Sequence, residues 1–303
     1  HCAFIGFGKS TTRYHLPYVL HRKDRWQVAH IYRRRAKPEE QAPQYSHIHF
    51  TSDLDEVLND PLVKLVVVCT HADSHFEYAK KALEAGKNVL VEKPFTPTLE
   101  EAKTLFALAN SKGLTVTPYQ NRRFDSCFLT TKKVIESGKL GELVEIESHF
   151  DNHRPLAETN PGGPQNGEFY GLGVHTLDQI ISLFGRPDHV SYDLRSLRNK
   201  ANPDDTFEAQ LFYGDMKAIV KTSHLVQIDY PKFIVHGHKG SFVKYGIDQQ
   251  ETSLKANIMP GEPGFGADDS VGELVYVNEA GEMVREAVPL ESGDYGRVYD
   301  AQI

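Results

Sequence analysis

Five apolar, β-prone runs punctuate the first part of the chain: Cys2–Ile5, Val28–Tyr32, Leu65–Cys69, Asn88–Val91 and Leu114–Pro118. Helix-like stretches separate them, and strands alternating with helices imply βαβ units around a parallel sheet. Thr98-x-x-Glu101 reads as a capping box before Ala102, Leu105, Phe106 and Ala109 at helical spacing, and Gly113 closes that helix. A second helix is expected from about Ser74 to Ala85, with Phe76, Ala79 and Leu83 on one face and Gly86 as its left-handed cap. After about Arg122 the rhythm changes. A helix over Asp125–Ser137, capped by Gly138, precedes a loop rich in Pro and Gly from Pro155 to Gly167. From Val190 onward strands dominate: Ser191–Leu197, Phe207–Tyr213, Ala218–His224, Phe233–His236 and Ser241–Tyr245, joined by turns such as Tyr213-Gly214-Asp215 and His238-Lys239-Gly240. Runs of strands with short turns point to an antiparallel sheet, so this half reads as α+β.

The loop after the first strand, Gly6-Phe7-Gly8-Lys9-Ser10-Thr11, stands where a Rossmann dinucleotide fingerprint belongs. Gly6 permits a tight turn, and Gly8 lets backbone approach a pyrophosphate whose charge meets a helix N-terminus. Thr11 holds the third glycine position, so the fingerprint is imperfect. Gly8-Lys9-Ser10 also resembles the end of a P-loop, but that motif needs an earlier glycine where Ala3 stands. The second strand of a Rossmann unit usually ends in an acidic residue that binds the ribose 2′-hydroxyl; here it ends Tyr32-Arg33-Arg34-Arg35. Guanidinium groups bind a 2′-phosphate that a carboxylate would repel, so Arg33 and Arg34 favour NADP over NAD.

Composition removes other classes. With 34 Lys+Arg against 41 Asp+Glu, the net charge of -7 argues against a nucleic-acid partner. The longest aliphatic run, about Leu65 to Val68, falls far short of the ~20 apolar residues of a membrane helix, so no membrane partner is expected. Cys2, Cys69 and Cys127 are odd in number and form no CxxC pair, which makes a reducing, cytoplasmic setting the default. The histidine pairs His71/His75 and His149/His153 have i, i+4 spacing but no Cys or Glu beside them in a zinc pattern, and no metal is expected. The start at His1 and the abrupt end at Ile303 suggest that a few N-terminal residues and a C-terminal segment are absent.

Thr70-His71-Ala72-Asp73-Ser74-His75, Ala82-Leu83-Glu84-Ala85-Gly86-Lys87 and Val89-Leu90-Val91-Glu92-Lys93-Pro94 form a pattern that resembles the glucose-fructose oxidoreductase/inositol dehydrogenase (Gfo/Idh/MocA) family. The resemblance continues through Asn121-Arg122-Arg123-Phe124, Gly138-Lys139-Leu140-Gly141-Glu142 and Gly173-Val174-His175-Thr176-Leu177-Asp178. It implies a Rossmann domain, here 1–122, and an α+β domain, 123–303, for substrate binding and oligomer formation. The open sheet of the second domain commonly serves a homodimer or homotetramer. The implied activity is NAD(P)-dependent oxidation or reduction of a sugar, polyol or related small molecule, with substrate between the domains. The resemblance further implies that Thr70, His75, Glu92, Lys93 and Asn121 attend the cofactor, and that the bond from Lys93 to Pro94 is often cis.

Lys93 matches the family lysine near the nicotinamide and the substrate hydroxyl, where hydride transfer from an alcohol carbon needs a base. The helix from about His175 to Phe184 places Leu177, Ile180, Ile181 and Phe184 on one face and His175 on the opposite one. With the family match, His175 reads as a catalytic proton donor or acceptor. The sequence departs from the family at Gly171, where an aspartate four residues before the histidine is usual. Asp178, Tyr170, Glu168 and Asp151 are the candidate replacements, and Arg154 is placed to meet an anionic or hydroxylated substrate. Two functions follow: an oxidoreductase, or a dinucleotide-binding sensor that has lost turnover.

Overall fold

A computed structural model describes residues 1–156 and 161–302; residues 157–160 of the expected Pro155–Gly167 loop, and Ile303, lie outside the described residues. The chain forms two compact units, one of 1–120 with 253–265 and 296–303, the other of 121–252 with 266–295. The sequence pattern assigns 253–265 and 296–303 to the second domain, whereas their contacts gather them into the first unit.

The first unit is built on six parallel strands: β1 (Cys2–Ile5), β2 (Val28–Tyr32), β3 (His49–Thr51), β4 (Leu65–Val68), β5 (Asn88–Val91) and β6 (Val116–Pro118). Their order, β3-β2-β1-β4-β5-β6, is that of a Rossmann sheet. β1 and β4 are buried at every position, as strands covered on both faces must be, and this is why they read as unbroken apolar runs. The helical run after β1 begins at Lys9, turns as a π-helix over Thr11–His15, and continues as α1 (Leu16–His21). Next come α2 (Leu54–Leu58), α3 (His75–Glu84) and α4 (Leu99–Lys112).

The capping box at α4 forms as expected. Thr98 Oγ1 accepts from the Glu101 amide at 3.3 Å, and the Thr98 amide donates to Glu101 Oε2 at 3.1 Å. Gly113 ends the helix at φ +66°. The core face of α4 differs from the expected one: Leu105 and Ala109 are buried and Leu108 packs beside them, but Phe106 is 43% exposed. Thr98→Ala should lower stability by about 1 kcal/mol, read from the urea midpoint at unchanged slope. An unchanged midpoint would mean that water caps the helix equally well.

The second unit carries an eight-stranded sheet: β7 (Leu143–His149), β8 (His189–Arg195), β9 (Thr206–Tyr213), β10 (Met216–Ser223), β11 (Phe233–Gly237), β12 (Gly240–Lys244), β13 (Gly272–Val277) and β14 (Met283–Val288). Their order is β14-β13-β12-β11-β7-β10-β9-β8, and every neighbouring pair is antiparallel except β7 and β10. Helices α5 (Ser126–Glu136) and α6 (Val174–Phe184) pack on one face through Val134, Leu177, Ile180 and Phe184, against Ile146, Phe207, Leu211 and Val220. Ile181, expected on that stripe, is instead 43% exposed. The other face is laced with ion pairs such as Lys217–Glu145 at 2.7 Å and Lys221–Glu208 at 3.5 Å, as the period-2 alternation of the strands requires. Among the described residues, no helix is long and apolar enough to cross a membrane.

Candidate functional site

The loop after β1 is shaped before any ligand arrives. Gly6 sits at φ +111°, and a Cβ there would stand 2.6 Å from the Cys69 carbonyl oxygen, so the protein itself requires glycine. Gly8 is different, because its Cβ would meet nothing within 4 Å. Open space over a glycine in this loop fits a pyrophosphate cradle. Thr11 is fully buried and donates its hydroxyl to the Gly6 carbonyl at 2.9 Å, bracing the loop from behind. Phe7 turns its ring inward against Tyr45 and Phe50, while its carbonyl accepts from Lys37 Nζ at 2.6 Å. Lys9 is exposed and Ser10 half-buried.

The arginines at the end of β2 do not act alike. Arg33 donates both arms of its guanidinium to Glu40, at 2.7 and 3.0 Å. That contact holds the buried Glu40 carboxyl below the usual range, against the opposing pull of burial. Glu40 also accepts the Lys37 amide at 2.9 Å. Arg33 is therefore committed to shaping this loop, while Arg34 and Arg35 are exposed.

Beyond β4 and β5, His75 is buried with Nδ1 2.8 Å from the Pro94 carbonyl and Nε2 3.1 Å from the Thr70 carbonyl. It thereby ties the end of β4 to the segment after β5. The Thr70 hydroxyl accepts from Ser74 at 2.9 Å. The Lys93–Pro94 bond is cis and Lys93 is half-buried. Glu92 is buried, and its Oε2 accepts the Lys93 amide at 2.8 Å. Its Oε1 accepts from the Ser10 hydroxyl and lies 3.1 Å from His15 Nε2. Burial alone would raise the Glu92 carboxyl; His15, Ser10 and the Lys93 charge overcome this and bring it down to about 2.

In the second unit, Asn121 is buried at the head of the Asn121-Arg122-Arg123-Phe124 segment. Arg122 is buried with Nη2 2.8 Å from Glu251 and Nη1 3.5 Å from Asp125, whose other oxygen accepts from the Tyr295 hydroxyl at 2.8 Å. Arg123 pairs with Asp178 through two bonds of 2.7 Å, so Asp178 already has a cation. His175 is buried in the first turn of α6, just after a π-helical turn over Phe169–Gly173.

Of the residues considered as replacements at Gly171, Asp151 is held by His149 and the Ser223 amide. Glu168 lies nearest the position: its Oε2 is 3.1 Å from where a Gly171 Cβ would stand, and its Oε1 is 3.0 Å from His224 Nε2. Tyr170 is half-buried against Phe169, and Arg154 is exposed with its amide bonded to the His224 carbonyl at 2.8 Å.

The structure thus joins Ser10 to Glu92 and Lys93, and His75 to Thr70 and Pro94. Asn121, Arg154, Tyr170, Asp178 and His175 belong to the other unit. Sequence reasoning passed over His15, Lys37, Glu40 and Tyr299. None sits in a motif, and the only hint was a lone histidine one turn beyond the glycine loop.

Residues 1–120 match the family described as "Oxidoreductase family, NAD-binding Rossmann fold" (GFO_IDH_MocA), and residues 132–303 match its "C-terminal alpha/beta domain". The chain is 86% identical over 300 residues to the uncharacterized oxidoreductase YhhX of Escherichia coli (strain K12), covering 99% of this chain and 87% of that protein. It is 34% identical over 300 residues to IolW of Bacillus subtilis (strain 168), a scyllo-inositol 2-dehydrogenase (NADP(+)), covering 97% of this chain and 83% of IolW. A crystal structure of a probable oxidoreductase, yhhX, superposes with a TM-score of 0.98 at 86% identity, over 99% of this chain and 87% of that one. With both of its units matched, the chain belongs to the Gfo/Idh/MocA oxidoreductase family.

Proposed function

We propose that the chain is an NADP-dependent oxidoreductase that moves hydride between the nicotinamide and a sugar-like or polyol substrate, working as a homodimer or homotetramer. The observation that carries this reading is the glycine loop. Gly6 is demanded by the fold, whereas Gly8 leaves open space where a Cβ would stand, and that suits a pyrophosphate approaching the backbone. Support for NADP comes from β2, which ends without a carboxylate and with Arg34 exposed, and from the relative IolW, an NADP(+) enzyme acting on scyllo-inositol.

When bound, the dinucleotide supplies the carbon that accepts or gives the hydride. Gly6–Thr11 would hold its pyrophosphate, and Arg34 its 2′-phosphate. As a CH–OH carbon loses hydride, its hydroxyl must lose a proton, and Lys93 takes that proton or returns it in the reverse direction. His75 fixes the segment that carries Lys93, and His175 is the second proton-exchanging group. Gly171 favours the alternative of a dinucleotide-binding sensor without turnover, and a panel of polyols separates the two.

The first test is calorimetric titration with NADPH and with NADH at fixed salt. NADPH should bind at least about tenfold more tightly, and Arg34→Asp should erase the difference. Arg33→Asp is a poorer probe, because it would also strip the buried Glu40 of its partner. No binding of either dinucleotide sinks the oxidoreductase reading.

A further inference from the structure

The Glu92 carboxylate gathers side chains that are far apart in sequence. Its Oε1 takes the Ser10 hydroxyl and faces His15 Nε2 at 3.1 Å, and its Oε2 takes the Lys93 amide at 2.8 Å. His15 has no exposed surface, and its Nδ1 lies 2.5 Å from the Tyr299 hydroxyl. A carboxylate oxygen only accepts, so Nε2 carries a proton and donates it to Glu92. Nδ1 makes the second hydrogen bond of the ring, with the Tyr299 hydroxyl. The ring also packs on Tyr119, centroid to centroid 4.0 Å at 32°. His15 ends the π-helical turn that follows the glycine loop, and such turns frequently occur at functional sites.

We propose that His15 is a positioning residue: by holding Glu92, it locks the Ser10 end of the phosphate loop and the backbone of Lys93 into one arrangement that the cofactor meets ready-made. Tyr299 orients the imidazole from behind. This rests on the reading of Gly6–Thr11 as the dinucleotide loop. Two bonds converge on the same oxygen, so losing one leaves a buried carboxylate short of donors, and the loop and Lys93 loosen together. The charged and titratable groups facing Glu92 are His15 from the helical run, the adjacent Lys93, Cys69 after β4, and Tyr299.

The test is His15→Phe, which keeps a ring against Tyr119 and deletes both hydrogen bonds, read in the full chain by NADPH calorimetry and by amide hydrogen exchange without cofactor. Affinity should fall by at least about tenfold, and further toward pH 5, because a Glu92 deprived of His15 takes up a proton that it otherwise refuses. Wild-type affinity should follow only the ionisation of the 2′-phosphate near about pH 6, so the extra loss in the variant, taken against wild type at each pH, is the readout. Amides of 8–12 and of 93 should exchange faster together, and Tyr299→Phe should shift both readouts less in the same direction. Wild-type affinity and unchanged exchange in His15→Phe, even with a lower melting temperature, would reduce His15 to core filling. If the wild-type protein binds neither NADPH nor NADH, the cofactor reading falls, and the exchange data alone decide whether His15 couples the two segments.

Discussion

Lys93→Ala is expected to slow turnover by about 10²–10⁴-fold while leaving NADPH affinity within about threefold of wild type. The expected split follows from which part of Lys93 does what. Its amide is the group that Glu92 holds at 2.8 Å, and alanine keeps that amide. The cis bond to Pro94 and the His75 contact to the Pro94 carbonyl are likewise backbone features that the substitution leaves in place. The side chain beyond Cβ is lost, and with its ammonium the group that exchanges a proton with the substrate hydroxyl. Steady-state rates on a polyol that the wild type oxidises, with calorimetry on the same preparation, read both quantities. Undiminished turnover would remove Lys93 from the chemistry, whereas a lost affinity with little change in rate would make it a cofactor ligand.

Arg122→Met should destabilise the second unit by about 3–5 kcal/mol, the usual loss when one partner of a buried ion pair is removed. Asp125 and Glu251 lose their guanidinium, while the Phe150 ring, 4.9 Å from it, keeps an unbranched neighbour. Burial already lifts the Asp125 carboxyl to about 6, with Arg122 opposing the rise and Asp248 adding to it. Without Arg122 the carboxyl must rise further. An acid whose folded pKa lies above its unfolded value binds more protons when folded, so its contribution to stability declines as pH rises through that window. The deficit of the variant should therefore be smaller near pH 5 than near pH 8. Urea unfolding at both pH values measures it, and a loss below about 1 kcal/mol at pH 8 would show that the cluster relaxes without its cation.

Legibility from sequence followed the kind of physics involved. β1 and β4 were plain because strands buried on both faces must be apolar throughout, and the ends of α4 were plain because caps are local chemistry. β13 and β14 were missed: in Gly272–Val277 and Met283–Val288 charged and exposed residues interrupt the apolar ones, so neither makes a run. Periodicity grouped Phe106 and Ile181 with the core, and both are 43% exposed, because it cannot say how far round the helix the neighbouring layer reaches. At the site, the loop and the Glu-Lys-Pro segment stood out as motifs. The groups that hold them did not, because Glu92 meets His15 across 77 positions and His15 meets Tyr299 across 284. Arg33 was read as a phosphate ligand because nothing in its neighbourhood distinguishes a guanidinium facing solvent from one clamped by Glu40, seven residues on.

The first unit is sewn from three stretches of chain, and this governs how the protein can be cut and recombined. Tyr18 packs edge-on against Phe265, Arg22 donates twice to Asp300, and His15 leans on Tyr299. A fragment ending at residue 120 would retain the whole six-stranded sheet yet expose the faces that those later residues cover. The nucleotide-binding half is consequently not a portable module. A chimera that exchanges it with a relative must bring 253–265 and 296–303 along, or inherit a glycine loop whose innermost support has been left behind in the donor.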